Sequence, residues 1–590
     1  MLKHFFKYFE KSRNWSVPLF ISLCCLISGI KEKGWDNTFI NGDGKGYYAY
    51  LPAVFIYNDL SFGFIETYEK EHYQPGQLCD FRQPVEGGIV DRYYVGTAVA
   101  QLPFFIVTHS LCKLTGWDSD GCSRPYQYTV LIAACFYLFI GLWALFSFLG
   151  NFGTRPITIA FTLICIVFGT PLLFYTIYNP DFSHIYSFAF VSLFVLYAHR
   201  FFSKPKKQLA YPLAFLLGMI ALIRPVNLII VLALPFLASG WQNFTTTIKQ
   251  IFKNYATILL PSLLIFIAIC CIQLLIYYLQ TGNFIVYSYG DTGFDFLHPN
   301  FINFLFSYRK GMFLYTPLLF ISMGGFMFIF KENKYRFVTL LLFLTAVVYA
   351  LSSWIVWTYG MTYGQRPIIE YYFVFAILLS CILNSLSNKV HAGIVISILT
   401  LTIAHNLLQM SQHRHYILHW DEMTREKYWK VFLRTDPLYY GYLWNPLLPI
   451  LEDTLGYKAA SPAFIKNPNK FPATISAHQK LEPITLISSE ASDSLNIVLS
   501  LRICPKNEAL TKNKLQVTCR RKNNPNVDGY DFEITLRNLE ANKWNTVNKQ
   551  IKLSKKTRKE QFVVSIGNNG KYPFQISKVQ ILTKVKPGTP

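Results

Sequence analysis

The chain has 590 residues, 52% of them hydrophobic and 15% charged, with a formal net charge of +22. Apolar runs long enough to cross a bilayer, which takes about 20 residues each, recur from Trp15 to Met410 and vanish from Ser411 onward. This excludes a single soluble globular domain, sets nucleic acid aside as a partner, and predicts a polytopic membrane region followed by a soluble tail.

In chain order, Met1 to Arg13 is basic and aromatic, and no small-residue cleavage site follows Ile30, so the first apolar run reads as a retained span rather than a signal peptide. Spans are expected near 15–30, 127–150, 156–178, 184–203, 209–223, 225–239, 256–280, 312–330, 337–357, 367–387 and 391–410. The segment 94–114 is apolar but contains Pro103, and whether it crosses is left open. Basic connections orient the set. They are the N-terminus, Ser203 to Lys207, Lys249 to Lys253, and Lys331 to Arg336. All are cytoplasmic if 94–114 does not cross fully, which gives eleven crossings with the N-terminus inside and the C-terminus outside. If 94–114 crosses, another segment must not. In this orientation the loop 31–93, the segment Asn179 to His184, Arg224, and the loops 281–311 and 358–366 all fall on one outer face.

The domain reading is a membrane region at 1–410, a helical aromatic connector at 411–470, and an extracytoplasmic β-rich domain at 471–590. The tail alternates apolar and polar residues at period two, as in Leu495 to Ile503, Tyr530 to Leu536 and Gln561 to Ile566, with Asn-Gly and Asn-Pro turns between. That pattern predicts an antiparallel β-sandwich. The tail has twenty basic and nine acidic residues from Phe471 on, half the net charge of the chain. The surplus suits anionic headgroups or acidic glycans, or is simply a solvated basic face. The twelve cysteines show no metal spacing. Cys504 with Cys519, and more weakly Cys112 with Cys122, are candidate disulfides.

Chemistry concentrates in the outer loops. Asp43 is framed by Gly42, Gly44 and Gly46, which permit a tight turn and close approach to a ligand, and Tyr47-Tyr48-Ala49-Tyr50 follows. Asp43 is either a catalytic base or the cap of that helix. Asp36 competes with it in the same loop, and Asp91 beside Arg92 reads as structural. Asp181 and His184 are spaced one helical turn apart and are expected to face one cavity, with an N-cap role for Asp181 as the alternative. Arg224 stands beside Pro225 between two half-length apolar runs, where an arginine is a functional hypothesis by default. Its fork matches phosphate. Arg309 and Lys310 stand at the outer end of a span, where an anionic ligand would explain them. Trp357, Tyr363 and Arg366 mark another outer boundary and suit sugar stacking and an anion, or interface belting. His413, His415 and His419 resemble a metal cluster but lie beside an amphipathic connector, so no metal ligand is assigned.

Together these residues resemble the GT-C superfamily of membrane glycosyltransferases, near the protein O-mannosyltransferase and aminoarabinose-transferase branch. The resemblance runs from Gly42-Asp43-Gly44 through Asp181 and Arg224 to Trp357–Arg366, over about 15–410, and does not cover the tail. It implies a helical membrane fold of about 11–12 spans and a polyprenyl-phosphate-linked sugar donor. It also implies a glycan, lipid or protein acceptor, an acidic base in the first outer loop, and basic residues on the lipid phosphate. By position Asp43 is then the base, assisted by Asp181. Arg224, His184, Arg309, Lys310, Arg366, Trp357 and Tyr363 are the substrate contacts. Glycines frame the acid where some branches carry an acidic pair, so no cofactor is required, though a divalent cation stays open. The rival readings are a transporter or flippase of lipid-linked saccharides, which calls for midplane charges and pseudo-repeats, and a polymerase or ligase of such saccharides.

Overall fold

A computed structural model describes residues 15–32, 38–66, 81–254, 256–360 and 362–435, and beyond them the strands of the tail. Asp36 lies outside the described residues. The chain divides into two compact units, one of Met1–Ser411 with Trp420–Tyr428, the other of Gln412–His419 with Trp429–Pro590.

The first unit is helical. Its elements are α1 (Ser16–Glu32), α2 (Asp43–Pro52) continued by a π-turn at Ala53–Tyr57, a hairpin of β1 (Arg82–Val85) and β2 (Gly88–Asp91), α3 (Gly96–Thr115), α4 (Arg124–Gly150), α5 (Pro156–Phe168), α6 (Leu172–Ile177), α7 (Ser183–Ser203) and α8 (Ala210–Ile223). A 3-10 segment Pro225–Ala233 leads into α9 (Leu234–Leu237), followed by α10 (Trp241–Asn254) and α11 (Ala256–Thr281). Then come α12 (Phe301–Phe306), α13 (Met312–Tyr315), α14 (Pro317–Ser322), α15 (Phe326–Glu332), α16 (Lys334–Ser352), a 3-10 turn Arg366–Tyr371, α17 (Tyr372–Asn384), α18 (Lys389–Arg414) and α19 (Arg425–Val431).

Seven described helices are long and apolar enough to cross a membrane, which makes this an integral membrane protein. They are α3, α4, α7, α11, α16, the 3-10 turn with α17, and α18. Three of the spans expected from sequence are interrupted. The run 156–178 breaks at Gly169-Thr170-Pro171, and the run 312–330 breaks at Thr316-Pro317 and again at the 3-10 turn Met323–Gly325. The segment from Pro225 bends by 115° into α10. Prolines remove the backbone donors that would continue these helices. The exposed side chains Leu260, Leu263, Leu264, Ile267, Leu275 and Leu279 make α11 apolar on its outer surface, as a lipid-facing helix must be.

Contacts sort the connections onto two ends. At one end Asn333 Nδ2 donates to Ser239 O (3.0 Å), Asn243 Nδ2 to Phe202 O (3.3 Å), and the Arg336 guanidinium lies 4.7 Å over the Phe152 ring. This end carries the basic connections. At the other end the polar motifs meet. Gly96 abuts the backbone of Leu222 and Ile223, next to Arg224, while Tyr48 Oη donates to Gly121 O (2.6 Å), and the carboxamide of Gln127 accepts from Phe39 and Ile40 N–H (2.7 and 2.8 Å).

Helix lengths make a well at this end. Val95 N–H bonds the Gln273 carboxamide (2.8 Å) and Gly96 abuts Leu222 and Ile223, which sets Arg224 near the level of Gln273, whereas α11 runs on to Thr281. Eight further residues at 1.5 Å each put the floor of the well about 12 Å below the end of α11. A methyl group on Gly87 or Gly88 would collide with the carbonyls of Thr281 and Gln280, so the β1–β2 hairpin is seated on that helix end.

In the second unit the period-two segments form strands β3 (Tyr457–Ala459), β4 (Ala473–Ile475), β5 (Glu482–Ser488), β6 (Leu495–Pro505), β7 (Lys514–Arg521), β8 (Tyr530–Thr535), β9 (Asn545–Leu553), β10 (Gln561–Asn568) and β11 (Phe574–Lys584). All pairings are antiparallel, in one sheet of order β5-β10-β7-β8 and another of order β3-β11-β6-β9, with β4 also on β11. Cys504 and Cys519, the expected disulfide pair, fall on strands of different sheets. No disulfide joins Cys112 to Cys122. The connector is helical as far as Arg414 and again in α19.

Candidate functional site in the well

Asp43 opens α2 but does not cap it. The cap position is Gly42, at φ 52°, and no side chain bonds the first turn. The Asp43 carboxylate instead meets Arg366 Nη2 at 2.6 Å, with the two side chains 20% and 12% exposed. Arg366 is the first residue of the 3-10 turn, with Gln365 at its cap position and Pro367 next. Its guanidinium stacks 5.1 Å over the Phe182 ring, and among the described residues its buried Nε and Nη1 atoms have no hydrogen-bond partner.

Asp181 does not cap α7 either, since the cap position belongs to Phe182. Its Oδ2 accepts from Asn41 N–H (2.8 Å), and Asn179 Nδ2 reaches Asn41 Oδ1 (3.3 Å). Gly44 passes so close that a methyl group there would fall on the Asp181 carboxylate. Gly46 is equally constrained, with a methyl coming within 2.5 Å of Tyr93 and 2.9 Å of Asp91. The glycines around Asp43 therefore serve the approach of this turn to Asp181 and to the β2 end. Burial pushes the Asp181 carboxyl well above the usual carboxylate range, against the opposing Asn41 hydrogen bond, and the nearby Asp43 charge adds to the rise. Its Oδ1 is buried and unpartnered.

Asp181 and His184 are not related by one helical turn as their spacing predicts. Helix α7 begins only at Ser183, so the one-turn spacing does not apply, and His184 points elsewhere. Its Nδ1 lies 3.0 Å from Glu370 Oε1 and 3.0 Å from Arg224 Nη1, and Arg224 Nη1 donates to Glu370 Oε1 at 3.1 Å. Glu370 is fully buried and its Oε2 has no partner. Beneath it, Tyr371 Oη donates to Asn227 Oδ1 (2.8 Å) and Asn227 Nδ2 to Ser187 Oγ (2.8 Å). Sequence reasoning missed Glu370, Asn227 and Asn41. Glu370 carried a signal, as an acid in an otherwise apolar span.

Two clusters thus share the well, Asp43·Arg366 with Asp181, and Arg224·Glu370·His184. Tyr47 joins them electrostatically, feeling Arg224, Arg366 and Asp43, and it packs on Tyr93 (4.5 Å between centroids) and Phe182 (6.4 Å).

Lys310 and Arg309 part company. Lys310 is buried, with Nζ donating to Gly360 O (2.6 Å) and Thr362 Oγ1 (3.3 Å). Burial without a carboxylate partner pulls its ammonium well below the usual lysine range, and the Arg366 charge adds to the fall. Arg309 turns to the rim and pairs with Asp421 (2.9 Å). Tyr363 ties its loop to α18 through Oη to Asn406 Oδ1 (2.9 Å). Trp357 is half-buried, and its carbonyl accepts from Gln365 Nε2 (3.3 Å). Trp354 lies edge-on to Tyr289 at 5.4 Å. Among the described residues no group of three or more His, Cys, Asp or Glu is placed to hold a metal ion, and the histidines at 413–419 form none.

No family model matches the chain, and no curated protein matches it. Among solved structures, the archaeal oligosaccharyltransferase AglB from Archaeoglobus fulgidus, in complex with an inhibitory peptide and a dolichol-phosphate, is similar at 12% identity with a TM-score of 0.40. The likeness covers 74% of this chain and spans 59% of that one.

Proposed function

We propose that this protein transfers a sugar from a polyprenyl-phosphate-linked donor to a glycan, lipid or protein acceptor, in the well and on the non-cytoplasmic side of the membrane. The observation that carries this reading is Arg366. It is a buried guanidinium paired with one carboxylate through a single nitrogen, and its two other nitrogen positions are unsatisfied. Unpaired buried donors of a charged group are costly, about 1–3 kcal/mol or more each, and a phosphate would satisfy them in fork geometry. Arg224 is a second guanidinium in the same well, and Glu370 offsets its charge.

In this reading Asp43 takes the proton of the acceptor hydroxyl. The freed oxygen attacks the anomeric carbon, the bond from that carbon to the phosphate oxygen breaks, and the charge left on phosphate is stabilised by Arg366 and Arg224. Inversion at the anomeric carbon is what the resemblance implies. Asp181 shapes the Asp43 turn and acts as a positioning residue. Lys310 acts as a positioning residue through its bonds to Gly360 and Thr362. No step is routed through a cation. The basic connections at the opposite end support placing the well outside the cytoplasm, and the tail, following α18, then lies outside as an accessory module.

The test is retention of undecaprenyl phosphate by the purified full chain, read by native mass spectrometry. One lipid is expected on the wild type, with loss in Arg366→Gln at unchanged folding. Equal retention by both proteins would remove the phosphate site from the well.

A further inference from the structure

Beyond the well, the same end of the bundle carries a cleft of about 550 Å³ between the end of α3 and the first turns of α4, lined by Trp117, Asp118, Ser123, Arg124 and Tyr128. We propose that this cleft docks a neutral saccharide, as a subsite for the glycan part of a substrate. Its role in transfer rests on the glycosyl-transfer reading, but the binding does not.

Three observations carry it. The first is rigidity. Gly116 ends α3 at φ 72°, a conformation that favours glycine, and sends the chain back over the helix. The Asp120 carboxylate accepts from Cys122 and Ser123 N–H (2.9 and 2.7 Å), and Ser123 Oγ donates to Asp118 O (3.1 Å). Tyr48 and Tyr57 hydroxyls hold the carbonyls of Gly121 and Asp120 (2.6 and 3.0 Å). A loop fixed at so many points loses little freedom on binding, which favours recognition.

The second is what the fixed loop presents. Trp117 is 61% exposed, and Asp118 and Arg124 are exposed beside it. Among the described residues neither the Asp118 carboxylate nor the Arg124 guanidinium takes part in an ion pair or a side-chain hydrogen bond. An aromatic face with one acceptor group and one donor group is chemistry for the apolar face and the hydroxyls of a sugar ring. The two charges cancel, so the cleft favours a neutral ligand over an anionic headgroup. Its volume lies within the range of about 300–1,000 Å³ usual for small-ligand sites.

The third is position. Tyr137 of α4 packs on Tyr186 near the start of α7, in the layer of the well (5.1 Å between centroids). Arg124 lies thirteen residues earlier on α4, about 20 Å further out at 1.5 Å per residue.

Trp117 also follows a stripe of exposed apolar side chains on α3, Val107, Leu111 and Leu114, so a membrane-interface anchor is the competing role. The purified full chain is titrated against fluorophore-labelled neutral linear tetrasaccharides of hexoses and of N-acetylhexosamines, read by anisotropy. At least one probe is expected to bind saturably. Trp117→Leu and Asp118→Asn should each weaken it tenfold or more, and Trp117→Phe should largely retain it. If no probe binds, or if Trp117→Leu changes only the association with lipid vesicles, the proposal is overturned. Retention of undecaprenyl phosphate by the same variants reports separately on the transfer reading. Its loss in the wild type would sink that reading while leaving the saccharide result to stand or fall alone.

Discussion

Gly44→Ala tests the contact on which the site geometry depends. The added methyl would land on the Asp181 carboxylate, which is buried and held by Asn41 N–H. Overpacking of this kind costs about 1–3 kcal/mol, and losing the Asn41 hydrogen bond adds about 1 kcal/mol. The expected destabilisation is therefore about 2–4 kcal/mol. Gly393→Ala, in α18 with nothing within 4 Å of the new methyl, is the control. It should be neutral or slightly stabilising, since alanine is the better helix former. Asp181→Ala opens the space that Gly44→Ala fills, so the double variant should be more stable than the sum of the singles predicts. A coupling of about 1–3 kcal/mol is expected for residues in direct contact. The assay is unfolding of the detergent-solubilised full chain in increasing SDS, followed by tryptophan fluorescence. Gly44→Ala behaving like Gly393→Ala, or a cycle additive within about 0.5 kcal/mol, would refute the juxtaposition.

Further consequences can be checked in parallel. Asp43→Asn keeps shape but removes the base, so transfer should fall by a factor of about 10² or more while membrane insertion, followed by fractionation, is normal. Glu370→Ala leaves Arg224 uncompensated in the well and should cost about 3–5 kcal/mol in the same unfolding assay. A loss below about 1 kcal/mol would mean that the pair is solvated. Burial raises the Asp181 pKa above its unfolded value near 3.9. Between those two values the folded chain binds more protons, so stability should fall as pH rises through this window. Asp181→Asn should flatten that slope, and an unchanged pH profile would count against a protonation-sensitive Asp181.

The parts of the site that were legible in the sequence are those where polar groups interrupt apolar runs. Asp43, Asp181, Arg224 and Arg366 stand out for that reason, and alternation of basic connections was enough to gather them at one end. Residue spacing misled where it assumed a helix, because Asp181 precedes the first turn of α7 and so parts from His184. Neighbours in sequence were also lumped together. The turn at 307–311 sends Lys310 inward and Arg309 to the rim, which no periodicity specifies. Glu370 was hidden by counting its segment as one more span, although a lone buried acid demands a partner and Arg224 was already without one. The well depends on α8 ending short of the end of α11, near Gln273. That follows from packing between helices of unequal length, and hydropathy gives only the lengths.

The proposed reaction consumes a lipid-phosphate sugar donor. Its most direct measurement is mass spectrometry of polyprenyl-phosphate saccharides in cells lacking this chain, complemented with the wild type or with Asp43→Asn. One polyprenyl-phosphate sugar should accumulate in the deletion, disappear on wild-type complementation, and persist with Asp43→Asn at equal expression. No accumulating species, or clearance by Asp43→Asn as complete as by the wild type, would contradict the account.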